Sequence, residues 1–201
     1  MTKIIETLRE EHRNIEQLLA VLEQELSIFD RNGRPDYQII QAVIDYFQDF
    51  PDCCHHPKED MIFEKLKARD PVAAESVGDL EAEHQNERNR LRRVADMIGS
   101  VLTNHEVLPQ TFDDVMHDFI EHERKHMEME ERFLFSTAVN ALRPEDWSGI
   151  DAAWSDRKDS LFNVAFEERC QSLRERIVQW QRENQDILMT QRVDSHANYQ
   201  H

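Results

Sequence analysis

Two histidine–carboxylate pairs, His55-x-x-x-Glu59 and His126-x-x-x-Glu130, constrain this chain more than any other feature. Each precedes an apolar run, and each lies about 42 residues after a Glu-His dipeptide, Glu11-His12 or Glu83-His84. In a helix, residues i and i+4 share a face, so each pair presents an imidazole and a carboxylate one turn apart. A fold that serves this duplicated pattern must bring the pairs and the dipeptides together. Mixed nitrogen and oxygen donors suit iron, manganese or zinc.

The rest of the chain reads as all-α. Gly occurs only 4 times in 201 residues, and the 32% of charged residues are largely helix formers. A first helix is expected from Lys3 to about Phe29, with Ile4, Ile5, Leu8, His12, Ile15, Leu18, Leu19, Leu22 and Leu26 on one stripe. A second is expected from about Asp36 to Ala68, bent by Pro51 and Pro57. A third covers about Asp79 to Leu102, with a very polar stretch from Gln85 to Arg93, and a fourth covers Pro109 to about Leu142. Helices of this length with short connections predict an up-down-up-down four-helix bundle.

Helical rise then tests the metal idea. From His12 to the end of the first helix is ~26 Å, and from the start of the second helix back up to His55 is ~27 Å. The same count links His84 to His126, so His12, His55, His84 and His126 are expected at one level of the bundle. Carboxylates buried there without partners would be costly. A pair of cations would satisfy them: Glu59 and Glu130 as bridges supply four oxygen bonds, and the four imidazoles supply four nitrogen bonds. Positions remain for an oxo or hydroxo bridge and a small ligand. Iron fits such a donor set best and manganese next, whereas zinc is satisfied by fewer ligands.

On Glu11-His12, the block His55-His56-Pro57-Lys58-Glu59-Asp60-Met61-Ile62-Phe63, Glu83-His84 and the run from His126 to Phe135, the sequence resembles the hemerythrin-like family, also called HHE cation-binding domains. The resemblance covers about residues 3–142. It implies a four-helix bundle around a non-haem di-iron centre, with His12, His55, Glu59, His84, His126 and Glu130 as ligands. It also implies a small ligand such as dioxygen, peroxide or nitric oxide, in stress response or iron handling. The alternative is a non-catalytic iron-binding or sensing module acting through a partner. Oxygen-carrying members resemble a His-x-x-x-His pair on the third helix, whereas here Arg88 stands four residues after His84. That loss of a nitrogen argues against reversible dioxygen carriage. The four-His, two-Glu set is more similar to di-iron proteins of iron-centre repair and nitric oxide response, but their cysteine-bearing amino-terminal segment has no counterpart here.

Several alternatives stay open. His56 with Asp60 has the same spacing as His55 with Glu59, although His56 lies about 100° around an α-helix from His55. Glu131 replaces Glu130 if the helix is distorted. His122 is a further nitrogen donor or a hydrogen-bonding neighbour of His126. His105 reads as a loop residue, and His117, His196 and His201 as surface or tail residues.

Residues 1–142 thus form the expected bundle and residues 143–201 a helical extension. A short helix through Trp154 is followed by one from about Asp159 to Ile187, fraying after about Asp186. Trp147, Trp154, Phe162 and Phe166 are expected to cover the bundle. Leu173, Ile177 and Trp180 form a narrow stripe, read as packing or as a homodimer or partner contact. The net charge of −17 repels phosphate backbones and anionic membranes, which argues against nucleic acid and membrane partners. The sequence shows neither a signal peptide nor an apolar run long enough to span a membrane. Cys53, Cys54 and Cys170 are a poor disulfide framework and read as reduced packing thiols, hence a cytoplasmic location.

Overall fold

The structure is a computed structural model. It describes residues 2–31, 33–103, 107–158 and 161–197, with the backbone alone for residues 158, 161–163 and 184–197. His105 and His201, and the side chains of Phe162 and His196, lie outside the described residues.

Helix α1 (Lys3–Asp30) buries Ile4, Ile5, Leu8, Ile15, Leu18, Leu19, Leu22 and Leu26 at helical spacing. Near its end the buried Glu25 accepts the backbone N–H of Asp36 at 2.7 Å, which joins it to the next helix. The turn between them needs Gly33, since a Cβ there would come within 2.8 Å of the Ile28 carbonyl oxygen. The Asp36 side chain accepts the N–H groups of Gln38 and Ile39 and so caps α2 (Tyr37–Phe50). Helix α2 continues without a gap through a π-helical turn, Pro51–His55, into α3 (His56–Arg69).

A short helix, α4 (Pro71–Glu75), stands where the sequence reads as a plain connection. Asp70 caps it through the Ala73 N–H, and Pro71 sits in its first turn. Gly78, at φ 89°, then turns the chain into α5 (Leu80–Leu102), which Asp79 caps. Helix α6 (Pro109–Met129) likewise runs through a second π-helical stretch, Glu130–Phe135, into α7 (Ser136–Ala141). Helices α8 (Pro144–Lys158) and α9 (Leu161–Ala197) complete the chain. The backbone of α9 is helical to Ala197, past the Asp186 at which the sequence reads as frayed.

All regular structure among the described residues is helical. The pattern is more divided than four rods and a tail, because π-helical turns interrupt two of the rods and a short α4 is inserted. Helix α1 packs on α2 and α6, and α5 packs on α2 and α6, which closes a bundle. Helix α9 lies along α1 and α2, and α8 lies on α3.

The core is split in two. One apolar cluster runs from Ile15, Cys54 and Leu91 through Met127. The other holds Leu8, Ile62, Leu80 and Leu134. Between them, each rod contributes buried polar residues: His12; His55 to Glu59; His84 and Glu87; and Glu123, His126 and Glu130. The extension belongs to both clusters. Trp147 and Ile150 of α8 join the second, whereas Cys170 and Ile177 of α9 join the first.

The Leu173–Ile177–Trp180 stripe is therefore turned onto the bundle, with Ile177 only 1% exposed. Ile177→Ala should lower unfolding free energy by about 2–5 kcal/mol in urea titration. An unchanged urea midpoint would mean that α9 does not share the cooperative core.

Candidate metal centre

The second rod explains why two adjacent histidines both point inward. Pro51 and Pro57 each lack an N–H, so neither can make the regular helical bond. The backbone between them rewinds, and the His56 N–H reaches back five residues to the Pro51 carbonyl. This wider turn brings neighbouring side chains closer in azimuth than the about 100° of an α-helix. His55 and His56 are both buried as a result. The turn is not α-helical, so His56 is not carried to a solvent-facing side: His55 lies with His12, Glu59 and Glu130, and His56 with His84 and His126.

The buried donors form two groups. His12, His55, Glu59 and Glu130 have ligating atoms within 4.8 Å of one another, and so do His56, His84 and His126. Glu59 and Glu130, both 0% exposed, lie between the groups. Glu59 Oε1 is 3.7 Å from His12 Nε2 and 3.3 Å from His55 Nε2, whereas Oε2 is 3.5 Å from His84 Nε2. Glu130 Oε2 is 3.3 Å from His12 Nε2, whereas Oε1 is 3.6 Å from His84 Nε2 and 2.9 Å from His126 Nε2. Each carboxylate thus turns one oxygen to each histidine group.

These separations fit a pair of ions. Donors about 2.1 Å from a six-coordinate ion stand about 3 Å from their neighbours. Both oxygens of Glu59 and of Glu130, with His84 Nε2 and His126 Nε2, have no hydrogen-bond partner. Buried polar atoms left this way are costly unless something else satisfies them. The 2.9 Å contact between His126 and Glu130 lacks hydrogen-bond geometry, as expected of two donors aimed at a shared point.

A family model, the Hemerythrin HHE cation binding domain, matches residues 3–138. The chain belongs to the hemerythrin HHE family. No curated protein matches it, and no solved structure does. The cation binding of this family agrees with the buried His/Glu clusters, which have the donor set to hold metal.

Around these donors stands a ring of orienting carboxylates. Glu131 is 3.0 Å from His12 Nδ1, Glu11 is 2.9 Å from His55 Nδ1, and Asp52 is 3.1 Å from His56 Nδ1. Such contacts fix which ring nitrogen faces the metal. Glu131, with its side chain 43% exposed, thus meets His12 on the outer ring nitrogen, whereas Glu130 is fully buried among the histidines. Glu11 also accepts from Lys58 Nζ at 2.6 Å, and Lys58 reaches the Cys54 carbonyl as well. His122 belongs to neither group: it stacks on His126 with ring centroids 6.2 Å apart, and its Nε2 has no partner. His117 is exposed beside Asp113.

Two buried carboxylates, Glu87 and Glu123, escape a reading based on i,i+4 pairs. Glu87 lies three residues after His84 in a stretch that looks solvated, and Glu123 lies three residues before His126. Their i,i+3 spacing to a histidine was the available signal.

Without metal, histidines must neutralise the carboxylates. Burial alone would depress the His12 pKa, but the nearby Glu130 and Glu59 carboxylates outweigh this and push it up to about 10. Burial likewise opposes a charge on His126, and Glu130 raises it to about 9. Burial disfavours ionised Glu59, yet His55, His12 and His84 hold its pKa well below the usual range. Burial, and then the Glu87 carboxylate, push the Glu123 pKa well above the usual carboxylate range.

A pH dependence follows. In the metal-free protein, protonated His12 contributes stability that is full below pH 6.5 and lost as pH rises through about 10. Metal needs the deprotonated ring, so loading at neutral pH should expel at least the protons of His12 and His126, and affinity should fall as pH falls. Calorimetry in buffers of different ionisation enthalpy measures the release. A heat of loading independent of buffer would contradict it.

Proposed function

We propose that this chain is a hemerythrin-type di-iron protein that reacts with dioxygen, peroxide or nitric oxide in stress response or iron handling. The observation that carries the reading is the split of Glu59 and Glu130, one oxygen of each toward His12 and one toward His84. His12 and His55 hold one position, and His84 and His126, joined by His56, hold the other. The proposed frame is a four-helix bundle of residues 1–142 in which Tyr37–Arg69 and Pro109–Ala141 each act as one rod, with residues 143–201 as its extension.

The nitrogen missing at Arg88 is matched by His56, which restores five imidazoles to the donor set. Dioxygen therefore stands beside peroxide and nitric oxide as a ligand of this reading. Iron suits five imidazoles and shared carboxylates better than zinc does, with manganese second. Two irons held there supply one-electron redox chemistry and a coordination position for a small molecule. The protein's own part is orientation and exclusion of water. Glu131, Glu11 and Asp52 hold the imidazoles by their outer nitrogens. Phe135 stacks on His12 at 5.5 Å and Phe50 on His55 at 6.4 Å, so an apolar ring lies against each of these two donors.

A second reading, an iron-sensing module without turnover, draws on one specific contact. His55 shares Glu11 with Lys58, and the Lys58 ammonium lies 4.5 Å from the Trp154 ring of α8. A change of charge at His55 is then felt at the extension. A homodimer through α9 would use faces other than the Leu173–Ile177–Trp180 stripe. The proposal includes a cytoplasmic location, in keeping with free Cys53, Cys54 and Cys170. No helix among the described residues is long and apolar enough to cross a membrane.

The test is anaerobic loading with ferrous iron, desalting and metal analysis. About two irons per chain are expected, with spectral changes on adding air, peroxide or nitric oxide. Glu59→Ala and Glu130→Ala should each lose most of this iron, whereas His117→Ala, at an exposed site, should retain it. Turnover of peroxide or nitric oxide supports the first reading. Iron-dependent change at the extension without turnover supports the second. A folded wild-type chain that holds no iron overturns both.

A further inference from the structure

Glu87 is a buried carboxylate that the bridging pair leaves unexplained. It follows His84 by three residues on α5, so both project from one face. Its Oε2 is 2.9 Å from His56 Nε2 and 3.7 Å from His126 Nε2. No properly directed hydrogen bond reaches that oxygen, although the His56 contact is short. An ordinary ion pair would aim an N–H at the oxygen. Oxygen and ring nitrogen here have the separation and the misalignment of two donors that face a third point, as His126 and Glu130 do. Arg88, at the position where a second histidine would stand, points instead toward Asp52 and Gln85.

We propose that Glu87 is a direct metal ligand on the His56, His84 and His126 side, which fills that position and leaves the open coordination sites beside His12 and His55. This rests on the di-iron reading above. The donor count makes the two positions unequal. One side has the nitrogens of His56, His84 and His126 and the oxygens Glu59 Oε2, Glu130 Oε1 and Glu87 Oε2, which suffices for an octahedral ion. The other has His12, His55, Glu59 Oε1 and Glu130 Oε2, two short of six.

The experiment compares wild type, Glu87→Ala, the isosteric Glu87→Gln, and Glu123→Gln as a control at a neighbouring buried carboxyl. Each is loaded with ferrous iron and followed by chelator-driven release, by Mössbauer spectroscopy and by titration with azide. Wild type should show two distinct iron signals, and azide should change only one of them. In Glu87→Ala one iron should leave about 10-fold faster or more, its signal alone should move, and azide should then change both. Glu87→Gln, which keeps the side-chain volume, should change the same signal, and Glu123→Gln neither. Wild-type release rates, signals and azide response in both Glu87 variants would overturn the ligand assignment while leaving the di-iron centre intact. A wild-type chain without iron would overturn the centre itself, and the ligand with it.

Discussion

Two carboxylates with no access to water, Glu59 and Glu130, set the conditions for the whole structure. A buried charge without compensation costs far more than a fold of this size can absorb. The protein meets this by surrounding each oxygen with imidazole nitrogens from a different helix. Four histidines, His12, His55, His84 and His126, one from each rod of the bundle, face these oxygens. In the metal-free state the carboxylates outweigh burial and raise the pKa values of these rings. With metal bound, the rings would give up protons and serve as donors. The same geometry serves both states because a protonated ring and a metal ion neutralise the same two groups.

The polar layer also shapes the apolar core. Leu8 and Ile15 on α1 belong to different clusters, and His12 stands between them. The other rods repeat this division, with Cys54 and Ile62, Leu91 and Leu80, and Met127 and Leu134 on opposite sides. Each cluster holds the bundle together on one side of the layer. The helices are thus clamped above and below the donors, which limits how far any imidazole can drift from its place.

Helical periodicity made most of this legible. The apolar stripes located the long helices, and equal helical rise between His12, His55, His84 and His126 pointed to one level. What escaped was everything that departs from an α-helical repeat. His56 was assigned to another face because a regular helix turns adjacent residues far apart, and only the paired prolines and the resulting π-helical turn cancel that rotation. Glu87 was hidden because it sits among Gln85, Arg88, Arg90 and Arg93, a stretch that reads as a solvated surface. Arg88 does face outward, yet one residue earlier the helix faces the centre. Helix α4 was read as a connection since a single turn capped by Asp70 leaves almost no periodic signal.

The buried Lys58 gives the carboxy-terminal helices a different standing from that of an appendage. Its ammonium is held by Glu11 and the Cys54 carbonyl and is covered by the Trp154 ring, while Arg69 grips Asp146 through two hydrogen bonds a few turns away. Together with Trp147 and Ile150 in the core, these contacts run across the point at which the family match ends, Ala138. A chain cut there would uncover a lysine seated against the residue that orients His55, and would strip one wall from each half of the core. The buried contacts of the core thus continue past the segment that the family match covers: the boundary drawn by ancestry passes through the interior of the molecule.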